Sequence, residues 1–174
     1  MITVVCGTNR KESLSKKLAE FYTREIEKKT NATVHLIDLL ELPPRFIVEE
    51  MYGMRSEGFR PVEAQMAQSD KFLFILPEYN GSFPGIVKLF VDAFDPASVF
   101  HHKKAALAGL AAGKFGNVRG IDHFTGVLNY LQVDVLPFKV HIPRAGQQLE
   151  NFSTFRNSRD GREIQNQIDQ FIQF

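Results

Sequence analysis

The stretch KFLFILP, Lys71–Pro77, runs directly into EYNGSFPG, Glu78–Gly85, and its reading decides the fold. A continuous apolar run of this length is the pattern of a strand buried on both faces, as in a parallel sheet covered by helices. Pro77 closes the run. Pro84 stands where a first helical residue is expected, ahead of Ile86, Phe90 and Phe94 on one helical stripe. Upstream, Ile2–Cys6 is a short β-branched apolar run. Leu14, Leu18, Tyr22 and Ile26 then recur at helical spacing behind Ser13, a candidate N-cap, and Thr33–Asp38 alternates like a strand. Downstream, Ala105–Ala111 reads as another buried strand. Asn117 reads as the cap of a helix carrying Val118, Ile121, Phe124, Leu128 and Leu131. Val133–Ile142 is a fifth strand interrupted by Pro137, and a last helix starts near Asp160 with Ile164, Ile168, Phe171 and Ile172 on one face.

Strand and helix alternate from end to end, which predicts an α/β fold with a parallel sheet and helices on both faces. Five strands point to a flavodoxin-like three-layer sandwich with strand order 2-1-3-4-5. A length of 174 residues suits one domain, read here as residues 1–174. Two segments read as long irregular loops. Pro43–Pro61 carries Phe46, Met51, Tyr52, Met54 and Phe59, and Pro143–Asp160 is polar. Loops of that length serve as lids or contact surfaces, or are plain surface elaboration.

Charge narrows the partners. With 21 basic and 20 acidic side chains, the chain offers no broad field for nucleic acid or an anionic membrane. No apolar run approaches the roughly 18–20 residues that span a bilayer. Met1–Cys6 lacks the pattern of a signal peptide. Cys6 is the only cysteine, so no intramolecular disulfide can form, which fits a reducing, cytoplasmic setting.

In the 2-1-3-4-5 winding, strands 1, 3 and 4 are neighbours, and the loops that follow them leave one carboxyl edge. Ligands of open α/β sheets bind there. The first loop is Gly7-Thr8-Asn9-Arg10-Lys11-Glu12-Ser13-Leu14-Ser15. It opens a helix whose free N–H groups and dipole favour a phosphate. Thr8, Ser13 and Ser15 add hydroxyls, and Arg10 adds a guanidinium fork suited to phosphate oxygens. Taken alone, it favours a phosphate only modestly, because serine and glycine are common in ordinary βα turns with a serine cap. The second loop, Pro77 to Gly85, offers the aromatic face of Tyr79 and the backbone groups of Glu78 to Ser82 to a flat heterocycle with a hydrogen-bonding edge. The third, Ala111-Ala112-Gly113-Lys114-Phe115-Gly116-Asn117, has Gly113 and Gly116 for close backbone approach or for a tight turn. A phosphate loop beside two ring loops describes a mononucleotide with a large heterocycle, and FMN is the natural candidate.

Two other uses of the edge fail on spacing. A phosphatase loop built on Cys6 would need arginine at position 12, which is Glu12, and Arg10 comes too early. A receiver domain needs an aspartate at a strand end, where Cys6 and Pro77 stand instead. Cys6 reads as a small buried residue.

At these residues the chain resembles the NADPH-dependent FMN reductases, the flavodoxin-like group that includes chromate, azo-dye and quinone reductases. The signature Gly-Ser-x-Arg-x-x-Ser appears as Gly7 to Ser13, Pro-Glu-Tyr-Asn-x-Ser-x-Pro-Gly as Pro77 to Gly85 without a mismatch, and the Gly-rich turn as Gly113 to Asn117. Thr8 replaces the usual serine, and Ala112 and Asn117 stand where serine and glycine are common. The resemblance implies that Thr8, Arg10, Ser13 and Ser15 take the FMN phosphate, that Pro77, Glu78, Tyr79 and Asn80 lie along the ring system, and that Leu14 and Gly113 also belong to the cofactor site. It also implies an electron donor, NADPH or NADH, a small-molecule acceptor, and a homodimer or homotetramer with the site near the interface. The chemistry would then belong to the flavin, and no side chain need act as acid or base. One-electron flavodoxins are strongly acidic. This near-neutral chain has Arg10 and Lys114 in the candidate loops, which points to two-electron transfer. His101 and His102 read as a solvent-facing pair, and Arg119, Asp122 and His123 as a polar helix face or, since their helix borders the site, as a contact to flavin or a second subunit.

Overall fold

A computed structural model describes residues 1–51 and 56–174. Tyr52 and Met54 lie outside the described residues. Five strand positions form one parallel sheet. They are β1 (Ile2–Cys6), β2 (Val34–Asp38), β3 (Lys71–Pro77), β4 (Lys104–Leu110), and a split fifth strand made of β5 (Asp134–Val135) and β6 (Val140–Ile142). The order is β2-β1-β3-β4-β5, with β6 also on β4, as the alternation predicts.

Side chains alternate between the two faces, as strand geometry requires. On one face Phe72, Phe74 and Leu76 of β3 join Ala105 and Leu107 of β4. There they meet α4 (Gly85–Asp92) through Val87 and Phe90, and α6 (Val118–Tyr130) through Ile121, Phe124 and Leu128. On the other face Val4 and Cys6 of β1 join Leu73 and Ile75. They meet α1 (Leu14–Glu27) through Leu18, Tyr22 and Ile26, and α9 (Arg159–Gln173) through Ile164, Ile168 and Phe171. Phe90, Phe94 and Phe124 are core residues.

Helix boundaries follow local chemistry. Ser13 caps α1 by accepting from Lys16 N, and Ser158 caps α9 by accepting from Gly161 N. Two expectations are corrected. Pro84 occupies the cap position of α4, with the helix starting at Gly85. Asn117 precedes α6 but does not cap it with its side chain. It is left-handed at φ 65°, and its Nδ2 donates instead to the Leu76 carbonyl at 2.9 Å.

The two long segments are also less irregular than their sequences imply. Pro43–Pro61 contains α2 (Phe46–Glu49) and the start of α3 (Arg60–Gln68), which lies before β3. Pro143–Asp160 contains α7 (Ala145–Gln148) and α8 (Phe152–Arg156). A further short helix, α5 (Pro96–Val99), precedes β4.

The split in the fifth strand has a specific repair. Pro137 has no N–H to give, and pairing to β4 lapses between Val135 and Val140. Fully buried Gln167 of α9 fills the gap. Its Nε2 donates to the Leu107 carbonyl at 2.9 Å and to the Phe138 carbonyl at 3.0 Å, while Tyr22 donates to its Oε1 at 2.7 Å. One amide thus satisfies β4, the interrupted strand and α1 together. Gln167→Leu leaves these partners unpaired at about 1–3 kcal/mol for each group. The expected result is a clear fall in the urea midpoint with the slope unchanged. A loss within the roughly 0.5 kcal/mol typical of surface changes would contradict this role.

Candidate functional site

A cleft of about 390 Å³ opens at the carboxyl edge of the sheet, within the range of small-ligand sites. Its floor is the head of α1. Arg10, Lys11, Glu12, Ser13, Leu14 and Ser15 line it there. The amide N–H groups of Lys11 through Ser15 donate to no protein acceptor among the described residues. These free donors lie beside the positive end of α1, surroundings that favour an anion. Ser13 Oγ accepts from the Lys16 amide at 3.1 Å and lies within hydrogen-bond reach of the buried Cys6 thiol. Glu12 sits at φ 50°, a left-handed turn that swings the loop into the helix.

Below this floor, Lys16 Nζ lies 2.9 Å from Asp38 Oδ2 at the end of β2. That bond and the Asp38 charge hold the Lys16 amine above its ordinary pKa. Cys6 is also here, buried at the end of β1. Burial first, then the Asp38 carboxylate, push its thiol up to about 12. It is neutral across physiological pH and is no nucleophile.

The opposite wall is Pro77, Glu78 and Tyr79 from the loop after β3. Glu78 N donates to the Leu110 carbonyl at 2.9 Å, which continues the β3–β4 ladder one step. Tyr79 and Ser82 then exchange backbone bonds at 2.9 and 3.2 Å across Asn80 and Gly81, both at positive φ. This is the type I′ hairpin pattern that the Asn-Gly dipeptide favours. The third wall is Leu110, Ala111 and Ala112, with Ala145 and Gly146 of α7 beside them. These pieces are zipped together, since Ala145 N donates to the Ala111 carbonyl and Arg144 N to the Gly113 carbonyl, each at 2.9 Å.

Of the residues singled out from sequence, Arg10, Ser13, Leu14, Ser15, Pro77, Glu78 and Tyr79 meet in this cleft. Thr8, Asn80 and Gly113 are not among its lining residues. Thr8 is fully buried, with its Oγ1 2.7 Å from the Tyr79 hydroxyl. Asn80 is the exposed tip of the hairpin. Gly113 faces open space, and Gly116 approaches the protein itself. A Cβ on Gly116 would lie 2.7 Å from the His141 carbonyl carbon. The reading of the sequence missed Ala145 and Gly146. Their signal was available in the topology, because the loop after β6 leaves the same edge. The Asn-Gly turn was also readable from its dipeptide.

The family model for NADPH-dependent FMN reductases matches residues 1–147. The chain belongs to this family. It is an FMN-dependent NAD(P)H oxidoreductase, with FMN as cofactor and a reduced nicotinamide as electron donor. A 2-hydroxy-1,4-benzoquinone reductase of a Burkholderia species is 30% identical over 135 residues, covering 76% of this chain and 72% of that protein. An NAD(P)H-dependent FMN reductase of Pseudomonas aeruginosa is 33% identical over 110 residues, 60% of this chain and 57% of that protein. In fold, the chain is similar to an apo NADH:FMN oxidoreductase, with TM-score 0.79 and 19% identity over 98% of this chain and 87% of that one.

The donor set fits this cofactor. Free amides, serines and the Arg10 and Lys11 side chains suit a phosphate dianion, and the Pro77–Tyr79 wall suits a planar ring. Arg10→Ala is expected to raise the Kd for FMN roughly tenfold to a hundredfold, the scale of hydrogen bonds to charged groups. Quenching of flavin fluorescence measures it, and an unchanged Kd would remove Arg10 from the site.

Proposed function

We propose that residues 1–174 form one FMN-binding domain that passes two electrons from NADPH or NADH to a small organic acceptor of the quinone class. The observation that carries this reading is the row of free amides from Lys11 to Ser15, set in a cleft whose far wall is the Pro77–Tyr79 loop. When bound, FMN supplies the electron relay between the nicotinamide and the acceptor.

The chain's own work is binding and orientation. The head of α1 with Arg10, Ser13, Leu14 and Ser15 holds the phosphate, and Thr8 steadies their loop. Pro77, Glu78 and Tyr79 present backbone and an aromatic face along the ring, with Asn80 completing the turn that fixes them. Gly113 belongs to the loop that closes the third side. The named activities of the relatives, one a benzoquinone reductase, support a quinone as acceptor. A cleft open to solvent leaves room for donor and acceptor to occupy the same face in turn.

Charge supports paired electron transfer. Arg10 and Lys11 line the cleft, and Lys114 stands in the adjoining loop, so the cofactor is not enclosed by carboxylates alone. A reductive titration of the FMN form is expected to give a single two-electron wave, and anaerobic NADPH or NADH to bleach the flavin absorbance. Two well-separated one-electron waves would indicate a carrier of the flavodoxin type. No bleaching by either nicotinamide would leave a flavin-binding module without turnover.

The assembly proposed is a homodimer. An apolar cleft of about 640 Å³ lies between α4 and α6, and Tyr130 at its rim is 87% exposed. Exposed aromatic surface beside an apolar cleft is characteristic of protein contacts. Sedimentation is expected to give a dimer that Tyr130→Glu weakens, and a monomer at every concentration would reject it. No helix of the described residues is long and apolar enough to cross a membrane. A single buried, unpaired cysteine suits the cytoplasm as the location.

A further inference from the structure

The loop from Asn9 to Glu12 carries the cationic part of the cleft, yet it is held by very little. Among the described residues, its backbone makes one hydrogen bond, from Arg10 N to Thr8 Oγ1 at 3.2 Å. Thr8 Oγ1 in turn has one side-chain partner, the Tyr79 hydroxyl at 2.7 Å. Thr8 is fully buried, and Tyr79 reaches it from the half-buried wall of the cleft. Tyr79 is anchored from the other side by its reciprocal backbone bonds with Ser82 and by the neighbouring Glu78–Leu110 bond. A chain of contacts therefore runs from the rigid loop after β3, through a phenol and a threonine, to the amide of Arg10.

From this geometry we infer that Tyr79 is a positioning residue for the cofactor's phosphate as well as a wall for its ring. The inference rests on the proposed FMN site. The two parts of Tyr79 do separate jobs. The aromatic face touches the ring side of the cleft whatever the ligand's tail carries. The hydroxyl acts through Thr8 on the loop that bears Arg10 and Lys11, so its effect reaches only ligands with a phosphate. A threonine hydroxyl has two lone pairs, and the Arg10 amide and the phenol fill them when Tyr79 donates. Both partners then fix the loop in one geometry before the ligand arrives, and preorganisation of this kind appears as affinity.

FMN and riboflavin share the ring and differ in the phosphate, so they separate these jobs. Kd values for both are measured by fluorescence quenching with the wild-type apoprotein and with Tyr79→Phe, Thr8→Val, the double variant and Thr8→Ser. Tyr79→Phe is expected to weaken FMN roughly two- to tenfold, the scale of one net hydrogen bond, and to leave riboflavin unchanged. Thr8→Val should do the same, Thr8→Ser should retain wild-type affinity, and the double variant should be no worse than either single one. Inorganic phosphate as a competitor of FMN uptake gives a second readout, since its inhibition constant should rise by the same factor in Tyr79→Phe. Equal losses for FMN and riboflavin, an unchanged phosphate constant, or additive losses in the double variant would overturn the inference. Wild-type protein that binds neither flavin would instead overturn the FMN site on which it rests.

Discussion

The amide of Gly7 donates to the Ile75 carbonyl at 2.9 Å, and the geometry of the cleft depends on that joint. It is the point where β1 stops being a strand and the loop into α1 begins, with the chain still pressed against β3. No side chain fits there, since a Cβ on Gly7 would lie 2.6 Å from the Leu76 side chain and 2.8 Å from the Ile75 carbonyl oxygen. The close approach brings the first loop beside the root of the second. Thr8, the next residue, is thereby close enough to meet Tyr79. A larger residue at position 7 would force β1 and β3 apart and separate the free amides of α1 from the wall they face.

The same economy appears on the far side of the second loop. Asn117 stands in a left-handed conformation that suits glycine, and asparagine is among the few other residues that adopt it readily. Its side chain then does what glycine could not, donating to the Leu76 carbonyl one residue before Pro77. The surrounding backbone is cut to fit it. A Cβ on Gly120 would lie 2.1 Å from Asn117 Oδ1, and one on Gly109 would lie 3.1 Å from the Asn117 Cβ. Ser82 Oγ, at the end of the hairpin, lies 2.9 Å from His123 Nδ1 of α6. The loop after β3 is thus held by Thr8 on one side and by His123 on the other, with Asn117 fixing the strand end from which it leaves. What looks in the sequence like a departure from the family pattern is a third-loop residue bound to the end of β3, where the second loop begins.

The sheet order and the principal helices were legible because their signals are periodic and redundant. Each long strand buries both faces, so KFLFILP and the Ala105–Leu110 run have no other environment to occupy. The misread places are those where one residue has two physical options. Asn117 could cap α6 or turn its amide to Leu76, and only the position of β3 decides between them. Gly116 could meet a ligand or β6, and its neighbour is fixed by tertiary packing. The short helices α2, α7 and α8 have too few residues for a period to emerge. Gln167 reads as one more polar residue on α9. Its buried role exists only because Pro137 interrupts a strand about thirty positions earlier in the chain.

For the cleft, residue types located its α1 end better than they placed individual side chains. Serines, Arg10 and a helix start are a local pattern, and seven of the ten residues named from sequence line the cleft. Thr8 shows the limit of such a pattern. Its hydroxyl is the kind of group that binds phosphate, yet the fold buries it and commits it to Tyr79 and the Arg10 amide. Chemistry at the level of residue type cannot distinguish a ligand from the support of a ligand, because both need the same hydroxyl. The distinction lies in accessibility, which is set by how closely β1 and β3 approach at Gly7. That close contact, rather than any one cation, makes the loops after β1 and β3 walls of one cleft.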